Sequence, residues 1–235
     1  MKHNSRLPLI ESGILGVGVD TSAPLPLHSD PNLPDFRGFE VDLMKSVAAR
    51  VGVSVRYRNA LWSKLMDDLL EGRIDMICSA ATITEQRKGT FDFSRPYLDI
   101  KLAIVVKNGS SIKTLADMRD RIVGVRIATS AEDFLRANAQ VKAISTFDMN
   151  TEAYKTLQMG KVDAVIDDSP IAQAFARSTP GLTLAGTIPG TDAQYAMMFR
   201  KGSDELHRVI DDALTKIEAD GTYADIYRRW LDDKF

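Results

Sequence analysis

The stretch Cys78–Tyr97, CSAATITEQRKGTFDFSRPY, follows directly on a short apolar strand at Asp75-Met76-Ile77. It opens with small and hydroxyl residues, Ser79, Ala80 and Ala81, and then Thr82. Small side chains after a strand let a ligand approach the backbone closely, and exposed N–H groups in such a loop can receive an anion. Thr84 is a suitable N-cap for a short helical turn, and that turn would bring Arg87 back beside Thr82. A guanidinium presents a planar fork that matches a carboxylate with two parallel hydrogen bonds. Ala80, Thr82 and Arg87 together therefore predict a carboxylate-binding loop. A solvated arginine on a surface turn is the competing reading, and the rest of the chain decides between them.

The totals exclude several classes. A chain of 235 residues can bury a substantial core, as one large domain or two small ones. The hydrophobic share of 44% and charged share of 26% are those of an ordinary globular protein. A formal net charge of -2 gives no basis for nucleic acid as a partner. No apolar run reaches the roughly 18 residues of a membrane-spanning helix. The start, MKHNSRLPLIESG, lacks the apolar core of a secretory signal, which implies either a cytoplasmic protein or a signal already removed. One cysteine, Cys78, forbids an internal disulfide. His3, His28 and His207 show no metal-ligand spacing, so neither a metal nor a cofactor is expected.

Outward from Cys78 the chain alternates strands and helices. Ile14 to Asp20 predicts a first strand ending in an acid, and its Gly16-Val-Gly18 lacks the third glycine of a dinucleotide fingerprint. The proline-dense segment Ala23 to Arg37 predicts a loop. Val41, Leu43, Met44, Val47, Ala48 and Val51 mark a helical face that Gly52 ends, Val53 to Tyr57 a strand, and Trp62 to Leu70 a second helix. This β-α-β-α-β rhythm predicts a mainly parallel sheet covered by helices. A second run of such units begins near residue 105. It has strands at 101–107, 123–127, 143–147 and 162–166, and helices from Thr129-Ser130, where Thr129-x-x-Glu132 is a capping-box pattern, from Thr151, and from Pro170 in a first helical position. Residues 183–200 again read as strand, and Asp204 to Asp233 as helix, with Tyr223, Ile226, Tyr227 and Trp230 as a packing stripe.

Four segments make the sequence resemble the family 3 bacterial extracellular solute-binding proteins, the polar amino-acid receptors of ABC-type uptake systems. They are Gly38-Phe-Glu-Val-Asp-Leu43; Thr82-Ile-Thr-Glu-Gln-Arg87 with Phe91-Asp-Phe-Ser94 and Pro96-Tyr97; Asp163-Ala-Val-Ile-Asp-Asp-Ser-Pro170; and Gly221-Thr-Tyr223 through Trp230. The resemblance implies an α/β, two-lobed clamshell of the type 2 periplasmic-binding-protein kind, each lobe a mixed sheet flanked by helices. Lobe one would comprise residues 1–102 and 195–235 and lobe two residues 103–194, joined by two hinge strands. It implies a non-catalytic monomer in the periplasm that closes on a small zwitterion, most often a polar amino acid, and hands it to the membrane permease of a transporter. Arg87, with Thr82 and the helix start at Thr129-Ser130, would hold the ligand's α-carboxylate, and Asp168 its α-ammonium. Trp62 matches an aromatic that lies against the ligand side chain. Each role has a structural alternative: Thr129 and Ser130 as plain caps, Asp168 as the cap of the helix at Pro170, Trp62 as a core residue.

The chain also departs from the family pattern. Asp20 is present, but an aromatic that would follow it is replaced by Ala23, leaving Leu25, Leu27 or Phe36 as substitutes for a pocket wall. Arg126 stands where relatives carry a glutamine; it would meet a second acidic group of the ligand, or pair with Glu132 or Asp133 at the surface. Asp20 points instead to a cationic ligand. Two other functions share this fold, a cyclohexadienyl dehydratase-like enzyme and the input domain of a membrane sensor. The first needs a general acid, for which no histidine and no second acid after Asp168 offers itself.

Overall fold

The computed structural model describes residues 7–20, 22, 24–30 and 32–231. Ala23, His3 and the residues after 231 lie outside them. In chain order the elements are β1 Ile14–Asp20, α1 Phe39–Val51, β2 Ser54–Ala60, α2 Trp62–Leu70, β3 Met76–Ile77, α3 Glu85–Lys88, β4 Phe91–Phe93, β5 Leu98–Ile100 and β6 Leu102–Lys107. After a 3-10 turn at Ala116–Met118 come β7 Ile122–Arg126, α4 Ser130–Asn138, β8 Ala143–Phe147, α5 Asn150–Gln158, β9 Ala164–Asp168 and α6 Ser169–Ser178. Strands β10 Leu182–Thr187, β11 Ala193–Tyr195 and β12 Met198–Arg200 precede the helices α7 Asp204–Ala219 and α8 Thr222–Trp230. Among the described residues no helix is long and apolar enough to cross a membrane.

The chain divides into two compact units, residues 1–98 with 194–235 and residues 99–193. The breaks fall within β5 and β11, which pair as a two-stranded sheet. The first unit holds a five-stranded sheet in the order β2-β1-β3-β12-β4. β1 is parallel to β2 and to β3, and β12 runs antiparallel to β3 and β4. Helix α1 lies against α7, α8 and β2, and α2 against β1 and β3. Gly18 lets α2 settle on the sheet: a Cβ there would come within 2.6 Å of Ile74 Cδ1 and 3.0 Å of Leu65 Cδ2. The Gly-x-Gly of β1 is thus a packing feature. At the start of α1, Gly38 has φ 147°, and a Cβ there would press into the Leu27 carbonyl.

The second unit repeats the plan in the order β10-β6-β9-β7-β8, with β7 parallel to β8 and β9, and β6 antiparallel to β9 and β10. One face of its core gathers Leu102, Ile104, Val106, Val123, Val125, Leu135, Ala164 and Ile166. The central strands are apolar at nearly every position because helices cover both faces.

Three details differ from the sequence reading. The C-terminal helical segment is two helices, broken where Gly221 takes φ 83°, a conformation that glycine adopts without strain. β9 extends to Asp168, so Asp167 and Asp168 close a strand instead of following one, and Pro170 is the second helical residue. Phe91–Phe93 forms a strand, β4, too short for its alternation to stand out. The stripe of α8 packs as predicted: Ile226 is buried, Tyr223 and Tyr227 meet Phe39 edge-on, and Trp230 Nε1 donates to Asp42 at 2.8 Å.

Candidate functional site

Both units place their candidate residues at one edge of their sheet. In the first, β1 lies between β2 and β3, and all three are parallel. The chain leaves β1 towards β2 on one side and returns as β3 on the other, so the connections diverge at the carboxyl ends. Such a switch point in an open α/β sheet leaves a crevice where ligands bind. Asp20 ends β1, Ala60 of β2 lies opposite it, Trp62 opens the helix that follows, and Ala80 and Thr82 follow β3. In the second unit β7 lies between its parallel neighbours β8 and β9. Arg126 ends β7, Thr129 and Ser130 begin the next helix, and Asp168 ends β9.

The first half-site is built by its own loop. Thr84 Oγ1 accepts the Arg87 N–H at 3.1 Å and so caps α3, as the sequence predicts. That turn folds the Arg87 side chain back, and its Nη1 donates to the Thr82 carbonyl at 2.8 Å. The guanidinium carbon lies 5.0 Å from the centroid of the Trp62 ring, a cation–π distance. Arg87 is only partly buried, whereas Trp62 and Thr82 are buried. Trp62 therefore serves the core and supports the guanidinium together.

Two supports were not visible in the sequence. Glu40, 1% exposed on α1, accepts the Ala80 N–H at 2.6 Å and the Tyr97 hydroxyl at 2.5 Å through Oε1. It holds Ala80 at φ 49°, a conformation that costs a non-glycine residue about 1 kcal/mol. His28, fully buried, lies with Nε2 3.3 Å from Ser79 Oγ, and that hydroxyl accepts the Asp20 N–H at 2.9 Å. Asp20 Oδ1 itself accepts from the backbone N–H and the hydroxyl of Ser22 at 2.9 and 3.1 Å. Of the substitutes for a pocket wall, Leu27 is buried and Leu25 exposed, and Phe36 packs edge-on against His28 and Tyr57.

The second half-site is built from distant pieces. Arg126, 7% exposed, donates from Nε to the Asp148 carbonyl at 3.1 Å and from Nη1 to Asn150 Oδ1 at 3.0 Å. Glu132 is occupied with its own helix: Oε1 accepts twice from Arg136, at 2.9 and 2.7 Å, and Oε2 accepts the Ala128 N–H at 2.8 Å. Thr129 Oγ1 caps α4 by accepting the Glu132 N–H at 3.3 Å. This is the predicted capping box, with Glu132 reaching one residue further back than the usual pattern. The N–H groups of Ser130 and Ala131 have no acceptor within the helix and lie at its positive end. Asp168 occupies the N-cap position of α6, yet its side chain makes no capping hydrogen bond. Beside it Asp167 is buried; its Oδ2 accepts from Asn150 Nδ2 at 2.5 Å and from the Tyr154 hydroxyl at 3.1 Å, and its Oδ1 from the Asp168 N–H at 2.9 Å. Burial, with the neighbouring Asp168 carboxylate adding to it, pushes the Asp167 carboxyl up to about 7.

Residues 15–233 match the model of the bacterial extracellular solute-binding proteins, family 3, and the chain belongs to that family. The L-cystine-binding protein of Escherichia coli (strain K12) is 31% identical over 224 residues, which cover 94% of this chain and 84% of that protein. Among solved structures, an ancestral arginine-binding protein bound to glutamine has a TM-score of 0.88 at 35% identity, covering 95% of this chain and 100% of its own. The arginine-, lysine-, histidine-binding protein of Geobacillus stearothermophilus has a TM-score of 0.86 at 32% identity, covering 92% and 94%. The α/β architecture expected from the resemblance, sheets flanked by helices, is thus the one observed. The family is one of binding proteins and not of enzymes, and extracellular solute capture is its defining role.

Proposed function

We propose that this chain captures a small zwitterion, an amino acid, outside the cytoplasmic membrane and delivers it as a monomer to the permease of an ABC transporter. The observation that carries the reading is the placement of opposite charges at two switch points, Arg87 beside one and Asp168 at the other. Arg87 and Thr82 take the α-carboxylate, aided by the start of α4 at Thr129-Ser130, where N–H groups and the helix dipole favour an anion. Asp168 takes the α-ammonium. A zwitterion drawn out of water needs a partner at each charged end, or the desolvation cost stands uncompensated. Trp62 and Ala80 border the ligand, and Asp20 and Arg126 select its side chain. The ligand prefers a closed state because only there do both units hold it, with the strands at residues 100–103 and 193–197 acting as hinges.

The arginine-, glutamine- and cystine-binding relatives set the first compounds to try. A thermal-shift series with L-arginine, L-lysine, L-histidine, L-glutamine and L-cystine should raise the melting temperature with at least one. A ligand at 100 times its Kd adds about 2.7 kcal/mol to the native state. No rise with any amino acid removes the zwitterion reading.

A further inference from the structure

We propose that Asp167 and Asn150 are positioning residues of the second half-site: as a linked pair they set the direction of the Arg126 guanidinium and tie the backbone at Asp168. This deepens the binding role assigned above to Arg126 and Asp168. The linkage is one of donors and acceptors. Asn150 is 1% exposed and has one amide, with one oxygen and one NH2 group. Its Nδ2 donates to Asp167 at 2.5 Å, which obliges Oδ1 to face Arg126 Nη1 at 3.0 Å. An amide turned the other way would set its NH2 against the guanidinium, donor against donor. Asp167 accepts at both carboxylate oxygens, so it fixes which way Asn150 turns. Its second oxygen, on the Asp168 N–H at 2.9 Å, anchors the next residue at the end of β9.

The groups facing Asp167 are few. Asp168 adjoins it on β9, α5 contributes Tyr154 and Asn150, and Arg126 of β7 reaches it through Asn150. Its neighbour in register on β6 is Ala103, which carries no charge. An ammonium arriving at Asp168 would favour the ionised form of Asp167, so capture should expel a proton near neutral pH. The sign for stability follows from the raised value of about 7. An unfolded aspartate titrates near 4, so between about pH 4 and 7 the folded chain holds a proton that the unfolded chain lacks. Stability from this group is therefore fully present in acid, falls as pH rises to about 7, and is flat above it.

The test follows the Arg126 Nη–H signals by 15N-edited NMR in ligand-free protein, identified by their loss in Arg126→Lys, because it is Nη1 that donates to Asn150. The wild type should show a distinct, slowly exchanging Nη signal that titrates near pH 7. Asp167→Asn, and separately Asn150→Ala, should move it towards the averaged position of freely rotating guanidinium groups and abolish the titration. Nη signals unchanged in both variants overturn the proposal, and two variants guard against one failing to fold. Calorimetry with L-arginine and L-cystine forms the second arm. Asp167→Asn should weaken whichever binds at least fivefold and flatten its pH dependence from 6 to 8.5. Unchanged affinity in both variants overturns the link to binding even where the NMR signal moves. If the wild type binds neither compound, the amino-acid reading for these two fails, while the NMR arm still decides whether the pair positions Arg126.

Discussion

The two half-sites present an arginine at the same kind of sheet edge, but they hold it in different ways. Arg87 is set by its own neighbourhood: the Thr84 cap and the Thr82 carbonyl are three and five residues away. Arg126 is set by residues 22 and 24 positions away, and its chief support depends in turn on Asp167, 17 residues further on. Arg87 remains partly exposed against an aromatic face, while Arg126 is embedded in a buried polar network. A cation held by a local turn is available to be spent on a ligand. One held by a buried network is also part of the fold, because every buried polar partner it satisfies would otherwise be left unpaired.

The largest effects should separate the two. Arg87→Ala removes a partly exposed guanidinium that its own turn folds back, so the melting temperature should stay close to that of the wild type. Amino-acid affinity should fall at least tenfold, towards the ~3 kcal/mol of truncating one partner of a desolvated charge pair. Asp168→Ala should behave in the same way. Arg126→Ala instead removes a charged donor from the buried Asn150 Oδ1 and another from the Asp148 carbonyl, and should cost about 3 kcal/mol of stability in urea unfolding. The contrast breaks if Arg126→Ala leaves the urea midpoint where it was, or if Arg87→Ala shifts it by a comparable amount.

The same difference explains what could be seen in the sequence. The order of strands and helices follows from apolar periodicity, and the first half-site from Thr82, Thr84 and Arg87, because capping and turn chemistry act within a few residues. Asp168 and Arg126 are picked out by the family resemblance and not by a local pattern. What surrounds them is not picked out at all. Asn150 and Asp167 look like ordinary polar residues at a helix start and a strand end until β7, β8 and β9 are placed side by side. His28 lies in a loop marked by its prolines, with no spacing that announces Ser79, 51 residues away. Chain-distant hydrogen bonds leave no periodicity to read.

Glu40 sharpens the comparison, since it is a long-range support of the first half-site, 40 residues from Ala80 and 57 from Tyr97. Glu40→Ala would take the acceptor from the buried Tyr97 hydroxyl and the half-buried Ala80 N–H and release Ala80 from its left-handed backbone. A loss of about 2 kcal/mol in urea unfolding is expected, with weaker amino-acid binding as the loop relaxes. If stability falls while binding to the folded protein is untouched, Arg87 is placed by its turn alone and the local description of the first half-site holds without qualification.

The smallest effects concern the two caps, and here the destination of the energy differs although the chemistry is the same. Thr84 caps α3, which is four residues long, too short to contribute much to global stability by itself. Thr129 caps α4, nine residues long, and its hydroxyl also donates to the Arg126 carbonyl at 2.8 Å. Losing a threonine cap costs about 1 kcal/mol. In Thr129→Ala that cost should appear as lower stability, because α4 packs on β7, β8 and β9 and folds with them. In Thr84→Ala it should appear as roughly fivefold weaker binding with an almost unchanged melting temperature, because the turn that fails is the one that aims Arg87. Equal stability losses in the two variants would mean that α3 is as firmly built into its unit as α4, and that Arg87, like Arg126, is held by the fold as a whole.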